Sequence, residues 1–204
     1  MVRTDATRRI DRTRLGDAVT GPLRGRLLVA TPDLEDPNFF RSVVLVLEHN
    51  AGGALGVVLN RPTGTPVDEV LPAWALLAGD PGVVFVGGPV QPEGAIGLAR
   101  CIDPSPGEES GFAPIYDDLG TVDLERDPDS IVPRLGAARI FAGHAGWGPG
   151  QLDGEVAANG WFVVERVLDD LWRTEPEVLW RAVLKRQPGR VAMFAGFPAD
   201  PTLN

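Results

Sequence analysis

Apolar runs of strand length alternate with glycine- and proline-rich breaks along most of the chain. Arg26–Thr31 (RLLVAT), between Gly25 and Pro32, has the size of a buried strand. The following PDLEDPNFFRS carries two prolines among acidic and polar residues and must loop. Val43–Glu48 and Ala54–Asn60 are β-rich runs joined by Asn50-Ala51-Gly52-Gly53, the pattern of a hairpin. Three strands are therefore expected before residue 61. Pro66–Leu77 suits one or two short helices, with Pro66 in a first turn and a break at Pro72. Val83–Val86, ended by Gly87-Gly88-Pro89, and Ala95–Arg100 are further strands, Gly120–Leu124 is a weaker one, and Asp129–Leu135 is a helical turn.

Arg139–Ala142 predicts a short strand that delivers the chain to His144-Ala-Gly-Trp-Gly-Pro-Gly-Gln-Leu152. Three glycines and a proline in nine residues read as a corner, with Pro149 as the first helical residue and Trp147 plugging the core beside it. A helix over Gln151–Asn159 is expected to end at Gly160 as its C-cap glycine, before a strand at Trp161–Glu165. Val167–Trp172 and Glu175–Arg186 are expected helices, the second with Val178, Leu179, Ala182 and Val183 as its apolar stripe. Strands that come both as a hairpin and around helices favour a mixed sheet, in an α+β or α/β domain. The expected fold is α+β: a single compact domain with a mixed, largely antiparallel sheet and surrounding helices.

Length changes little in that picture, since 204 residues suit one domain with a core that needs no staples. With 44% hydrophobic and 23% charged residues and no apolar run near the ~18 that a membrane span requires, a water-soluble protein with no membrane partner is expected. The arginine-bearing start has no apolar stretch behind it, so the expected compartment is the cytoplasm. The single Cys101 excludes an internal disulfide framework and a CxxC pair. Charge is uneven. Residues 103–129 hold nine acids against Arg126 alone, within a net charge of −9. Residues 1–14 hold five arginines against Asp5 and Asp11, so residues 1–20 are expected to be a flexible basic tail and 21–204 the domain.

Several chemistries lack their parts. Gly146-Trp-Gly-Pro-Gly150 is neither GxGxxG nor a P-loop, and Pro149 removes an N–H from any phosphate cradle there. His49, His144 and Cys101 are isolated from one another, so no zinc site is expected; Asp33, Glu35 and Asp36 read as a solvated acidic loop. No GxSxG surrounds any of the four serines, and Ser42 and His49 lie at opposite ends of one strand of about 20 Å. No cofactor is expected. Direct DNA contact would need a basic face, which only the arginine tail offers.

The blocks PNFFRSVVLVLEHN, GALGVVLNRP, VFVGGPV and GHAGWGPGQLDGEVAANGWFVV, in this order, resemble the YqgE/AlgH family over roughly residues 21–200. The resemblance implies a compact single bacterial domain with a mixed sheet surrounded by helices, and no established reaction. Some members are labelled transcriptional regulators by association with alginate control, while most are called uncharacterised. Many have Cys just before the Glu-His-Asn unit, where this chain has Leu47, and Tyr or another residue in place of His144.

Loops at strand ends commonly converge into clefts. That puts Glu48, His49, Asn60, Arg61, Gly88, His144, Trp147 and Gln151 forward as a candidate pocket, with no catalytic residue assigned. The expected function is a non-enzymatic binding or regulatory module, acting through a protein or small-molecule partner. The alternative is a small hydrolase or transferase that uses His144 or His49 with Glu48 as general base. Any retention on duplex DNA is expected to fall steeply with salt and to vanish when residues 1–14 are removed, which an affinity column with the full and truncated chains checks. Retention that survives the truncation would point to a nucleic-acid surface on the folded part.

Overall fold

The computed structural model describes residues 22–102, 111–130 and 132–198. The basic tail at 1–20 and the first part of the acidic segment, through residue 110, lie outside the described residues.

The strand-length apolar runs become strands β1 (Leu27–Ala30), β2 (Val43–Asn50) and β3 (Gly53–Val58). Then follow β4 (Pro62–Pro66), β5 (Val83–Val86), β6 (Val90–Cys101), β7 (Phe112–Tyr116) and β8 (Leu119–Val122). β9 (Leu135–Trp147) and β10 (Trp161–Val164) complete the sheet. Strand order is β10-β1-β2-β3-β9-β6-β8-β7, with β4 and β5 off this path. Among the described strands the pairings are antiparallel except that β5 runs parallel to β9, Phe85 beside Phe141. The sheet curls into a half-barrel with a few short helices, which keeps the expected single, largely antiparallel domain but replaces the expected surrounding layer of helices.

Helices are shorter than the sequence pattern suggests. They are α1 (Val67–Val70), α2 (Gln151–Ala157) and α3 (Leu179–Lys185). A 3-10 turn at Pro72–Leu77 follows the break at Pro72, while Pro66 is the extended residue before α1 rather than part of its first turn. The helix expected at Val167–Trp172 is a single 3-10 turn, Leu168–Asp170. Glu175–Arg186 begins as a 3-10 turn at Pro176–Val178 before α3. The buried side of α3 is Leu179, Trp180, Val183 and Leu184, and Val178 is exposed. The expected stripe was displaced because Trp180 seeks the core and donates its indole N–H to the Ala30 carbonyl at 2.8 Å.

Three apolar clusters fill the fold. The largest lies on the concave face, where Leu27, Leu45, Val57, Leu98, Phe85 and Phe141 meet the buried side of α3. The opposite face of β1–β3 packs Leu28, Val44, Val58 and Trp161 against Trp147 and Leu152. Trp74 and Leu77 from the 3-10 turn cover Ala99, Val122 and Ile140. Each buried Val, Leu, Ile or Phe side chain contributes about 1.5–3 kcal/mol.

The longest strand corrects the reading of the corner. Residues 144–147 continue β9, and the turn is confined to 148–150. Gly150, at φ 69°, is the cap residue before α2, so Pro149 sits two residues too early to be its first helical residue. At the other end the left-handed residue is Asn159 (φ 60°), not Gly160. Its N–H donates to the Val156 carbonyl at 3.0 Å, and the Gly160 N–H donates to the Glu155 carbonyl at 2.9 Å. This is a Schellman closure with asparagine in the position usually taken by glycine.

Close main-chain contact at Gly87 and Gly88 seats the β5–β6 junction on β9. A Cβ on Gly88 would lie 2.2 Å from the His144 carbonyl carbon, a backbone atom that cannot move aside. Gly88→Ala is therefore expected to cost about 3 kcal/mol, or about 5–10 °C in the thermal midpoint read by circular dichroism.

Candidate functional site

The hairpin β2–β3 has two ends, and the candidate residues divide between them. Asn60 lies beside Val43: its Oδ1 accepts the Val43 N–H at 2.9 Å and its Nδ2 donates to the Arg41 carbonyl at 2.9 Å. Glu48 and His49 are at the far end of β2, about 17 Å away at strand rise. The eight residues thus do not form one pocket.

At the far end, register aligns His49 with Ala54 and Ala54 with Trp147, and Glu48 with Leu55 and Leu55 with Gly146. A bulge between Val46 and Glu48 turns Glu48 toward the concave side. There it lines a hollow of about 430 Å³ with Arg24, Leu47, Leu55, Ile96 and Ile115. His49 belongs to the other face, where its Nδ1 accepts the Leu23 N–H at 3.1 Å and its Nε2 is 3.5 Å from the Asp153 carboxylate. The Glu48 carboxylate accepts from Asn50 at 2.6 Å. Among the described residues no hydrogen bond or ion pair joins Glu48 to either imidazole. His144 is half-buried beside Val90, and Ser42 is fully buried.

The corner after β9 is held by one carboxylate. Trp147 Nε1 and Trp161 Nε1 both donate to Glu155 Oε2, at 2.9 and 2.8 Å, and Gln151 Nε2 donates to Oε1 at 2.9 Å. Gln151 Oε1 in turn accepts the Gly148 N–H at 3.0 Å, so Trp147 and Gln151 act in the architecture of the turn.

At the near end the chain builds a different site. Loop 32–42 enters β2 through Arg41 in the left-handed region, φ 53°, a conformation that costs a non-glycine residue about 1–3 kcal/mol. This turn brings Phe40, Arg41, Asn60 and Arg61 against Trp180 and Arg181 of α3, around a cleft of about 330 Å³. The Arg41 guanidinium lies 4.6 Å over the Trp180 ring, and its Nη2 donates to the Phe197 carbonyl at 2.6 Å and to that of Pro198. Arg61 Nη2 donates to the Pro37 and Phe40 carbonyls at 3.1 and 3.3 Å. Burial first, and the Arg181 cation second, push the Arg41 guanidinium below its ordinary value; burial does the same to Arg61, with Asp36 opposing it. Elsewhere arginines meet acids: Arg26 with Glu165, Arg100 with Asp118, and Arg186 with the buried Asp170. Among the described residues no carboxylate is within ion-pair reach of Arg41, Arg61 or Arg181.

Sequence reasoning found Asn60 and Arg61 and missed Phe40, Arg41, Trp180 and Arg181. Trp180 and Arg181 come from about 120 residues further along, and no local pattern announces that meeting. Among the described residues no three His, Cys, Asp or Glu side chains gather as a metal group, and no helix is long and apolar enough to cross a membrane.

A protein family described as AlgH-like matches residues 27–192. The chain belongs to this family. The resemblance of the four sequence blocks to YqgE/AlgH proteins is thereby established across the domain. A UPF0301 protein of Streptomyces coelicolor is 53% identical over 184 residues, covering 89% of this chain and 95% of that one. One from Mycobacterium marinum is 44% identical over 181 residues, covering 88% and 90%. Among solved structures, a Corynebacterium diphtheriae protein superposes with TM-score 0.81 at 31% identity, covering 87% and 93%. The AlgH protein of Pseudomonas aeruginosa superposes with TM-score 0.65 at 26% identity, covering 90% and 98%. None of these names states a ligand or a reaction.

The shared carboxylate of the corner has a measurable consequence. Glu155→Ala leaves two indole N–H groups without their charged acceptor and is expected to cost about 2–3 kcal/mol, read as a lower urea midpoint with an unchanged slope.

Proposed function

We propose that this AlgH-like protein is a non-enzymatic binding module, with an indirect regulatory role, whose ligand enters the cleft between loop 32–42 and α3. The carrying observation is the gathering of Arg41, Arg61 and Arg181 at one concavity with no acid in ion-pair reach among the described residues, in a protein of net charge −9. Three cations at one hollow repel one another, and an anion relieves that repulsion. Strain at Arg41, a left-handed residue beside the cleft, is of the kind that clusters at ligand-contacting positions.

The hydrolase or transferase alternative draws no comparable support. Glu48 and His49 belong to opposite faces of the sheet, and His49 is engaged by a backbone N–H. General-base work would need an imidazole within about 3.2 Å of its acid or nucleophile.

A thermal-shift screen of metabolites against the wild type and Arg181→Glu tests the assignment. Stabilising compounds are expected to be anionic and to lose most of their effect in the variant, since stabilisation follows the logarithm of ligand over Kd. Compounds that stabilise both proteins equally would remove the ligand from this cleft. Turnover of such a compound that is lost in Glu48→Gln would make the protein an enzyme.

A further inference from the structure

Neither the hollow beside Glu48, nor the exposed apolar turn around Leu76, nor the buried Arg139 gathers like charges as the arginine cleft does. Nothing in the structure says what covers Leu76. Arg139 is satisfied in part by the carbonyls of Asp80 and Arg173, both at 3.0 Å, and by the Phe85 ring.

We infer that the cleft takes a compact dianion of the phosphomonoester class with a small apolar body, an inference that rests on the cleft being the ligand site. Its lining holds three arginines and one acid, Glu177, a balance of +2 that a dianion cancels and a monocarboxylate cancels by half. The donors are prepared as well. Arg41 and Arg61 each commit Nη2 to main-chain carbonyls, so both guanidiniums are fixed before a ligand arrives, and their Nε and Nη1 groups make no hydrogen bond among the described residues. Pre-fixed side chains lose little entropy on binding, which concentrates affinity in the charge contacts. A carboxylate has two oxygens and saturates one guanidinium fork, whereas a phosphate monoester has three terminal oxygens to share among three arginines.

Arg181 is exposed and, among the described residues, has no carboxylate within ion-pair reach, so it can close over the anion from the α3 side while the other two stay fixed. Phe40 and Val178, 38% and 43% exposed, give the walls an apolar surface for the organic part. A hollow of about 330 Å³ suits a small molecule, at the lower end of ordinary ligand sites.

Isothermal titration with phenyl phosphate, benzoate and inorganic phosphate separates charge from shape. Phenyl phosphate is expected to bind at least tenfold more tightly than benzoate, with inorganic phosphate weaker than phenyl phosphate because it lacks the ring. Because the second phosphate ionisation falls near pH 6, its affinity is expected to drop about tenfold between pH 7.5 and pH 5.0. Arg181→Gln, at an exposed position whose side chain makes no hydrogen bond among the described residues, is expected to weaken it about tenfold while the thermal midpoint of the free protein is unchanged. Equal binding of benzoate and phenyl phosphate, both lost in Arg181→Gln, would overturn the dianion and leave the cleft as the ligand site. Absence of binding by all three anions, or binding that Arg181→Gln does not alter, would overturn the cleft and the dianion together.

Discussion

The approach of Gly87 and Gly88 to β9 is the contact on which the rest of the fold depends. The Gly87 N–H donates to the Ala142 carbonyl and its own carbonyl accepts the Val58 N–H, both at 2.8 Å, so one residue links β9 to the end of β3. β5 pairs with β9 in parallel at Phe85–Phe141, and β3 takes over the same side of β9 at Ala145–Trp147. A side chain at either glycine would drive into the main chain of Gly143 or His144. The two halves of the curled sheet, the β1–β3–β10 side and the β6–β8–β7 side, are joined through this strand, and the concave cluster needs both halves to be complete.

From this junction the two ends of the hairpin acquire different duties. At one end, polar side chains are consumed by architecture: Glu155 holds two indoles, Gln151 holds the turn, and His49 holds the Leu23 main chain. At the other end α3 packs its Trp180 into the concave core, which places Arg181 beside the cleft. Arg41 and Arg61 are held there by carbonyls rather than by acids. A guanidinium fixed by neutral acceptors is not neutralised by its hydrogen-bond partners, while the acid-paired arginines elsewhere largely are. The charge pattern around the cleft is therefore a product of which partners the fold supplied.

Much of the sheet was legible in the chain because strand burial leaves a short-range mark. Leu27–Ala30 and Val43–Leu47 are buried on both faces and read as continuous apolar runs, and Asn50–Gly53 marks the hairpin turn. The corner was legible only in part. Its glycines mark a bend, but Ala145 and Trp147 remain in β9 because β3 offers them hydrogen-bonding partners, and propensity carries no information about such a partner. The helices were overestimated for a related reason: the apolar spacing at residues 167–178 is met by 3-10 turns at Leu168–Asp170 and Pro176–Val178, and the α-helix begins only at Leu179. Of the candidate residues, Asn60 and Arg61 stood out at a strand end, yet their companions Arg41 and Arg181 look like ordinary surface arginines in the linear chain.

Local order along this chain, its strands, turns and breaks, was determined by the sequence itself, because burial on two faces and positive-φ backbone demand particular residue types within a few positions. Family membership followed from the same blocks. Tertiary structure alone decided which arginines meet acids among the described residues, which face Glu48 and His49 take, and where a cleft opens. Those outcomes depend on strand register, on one bulge and on contacts between segments more than a hundred residues apart, and side-chain identity at one position carries no record of its distant neighbours.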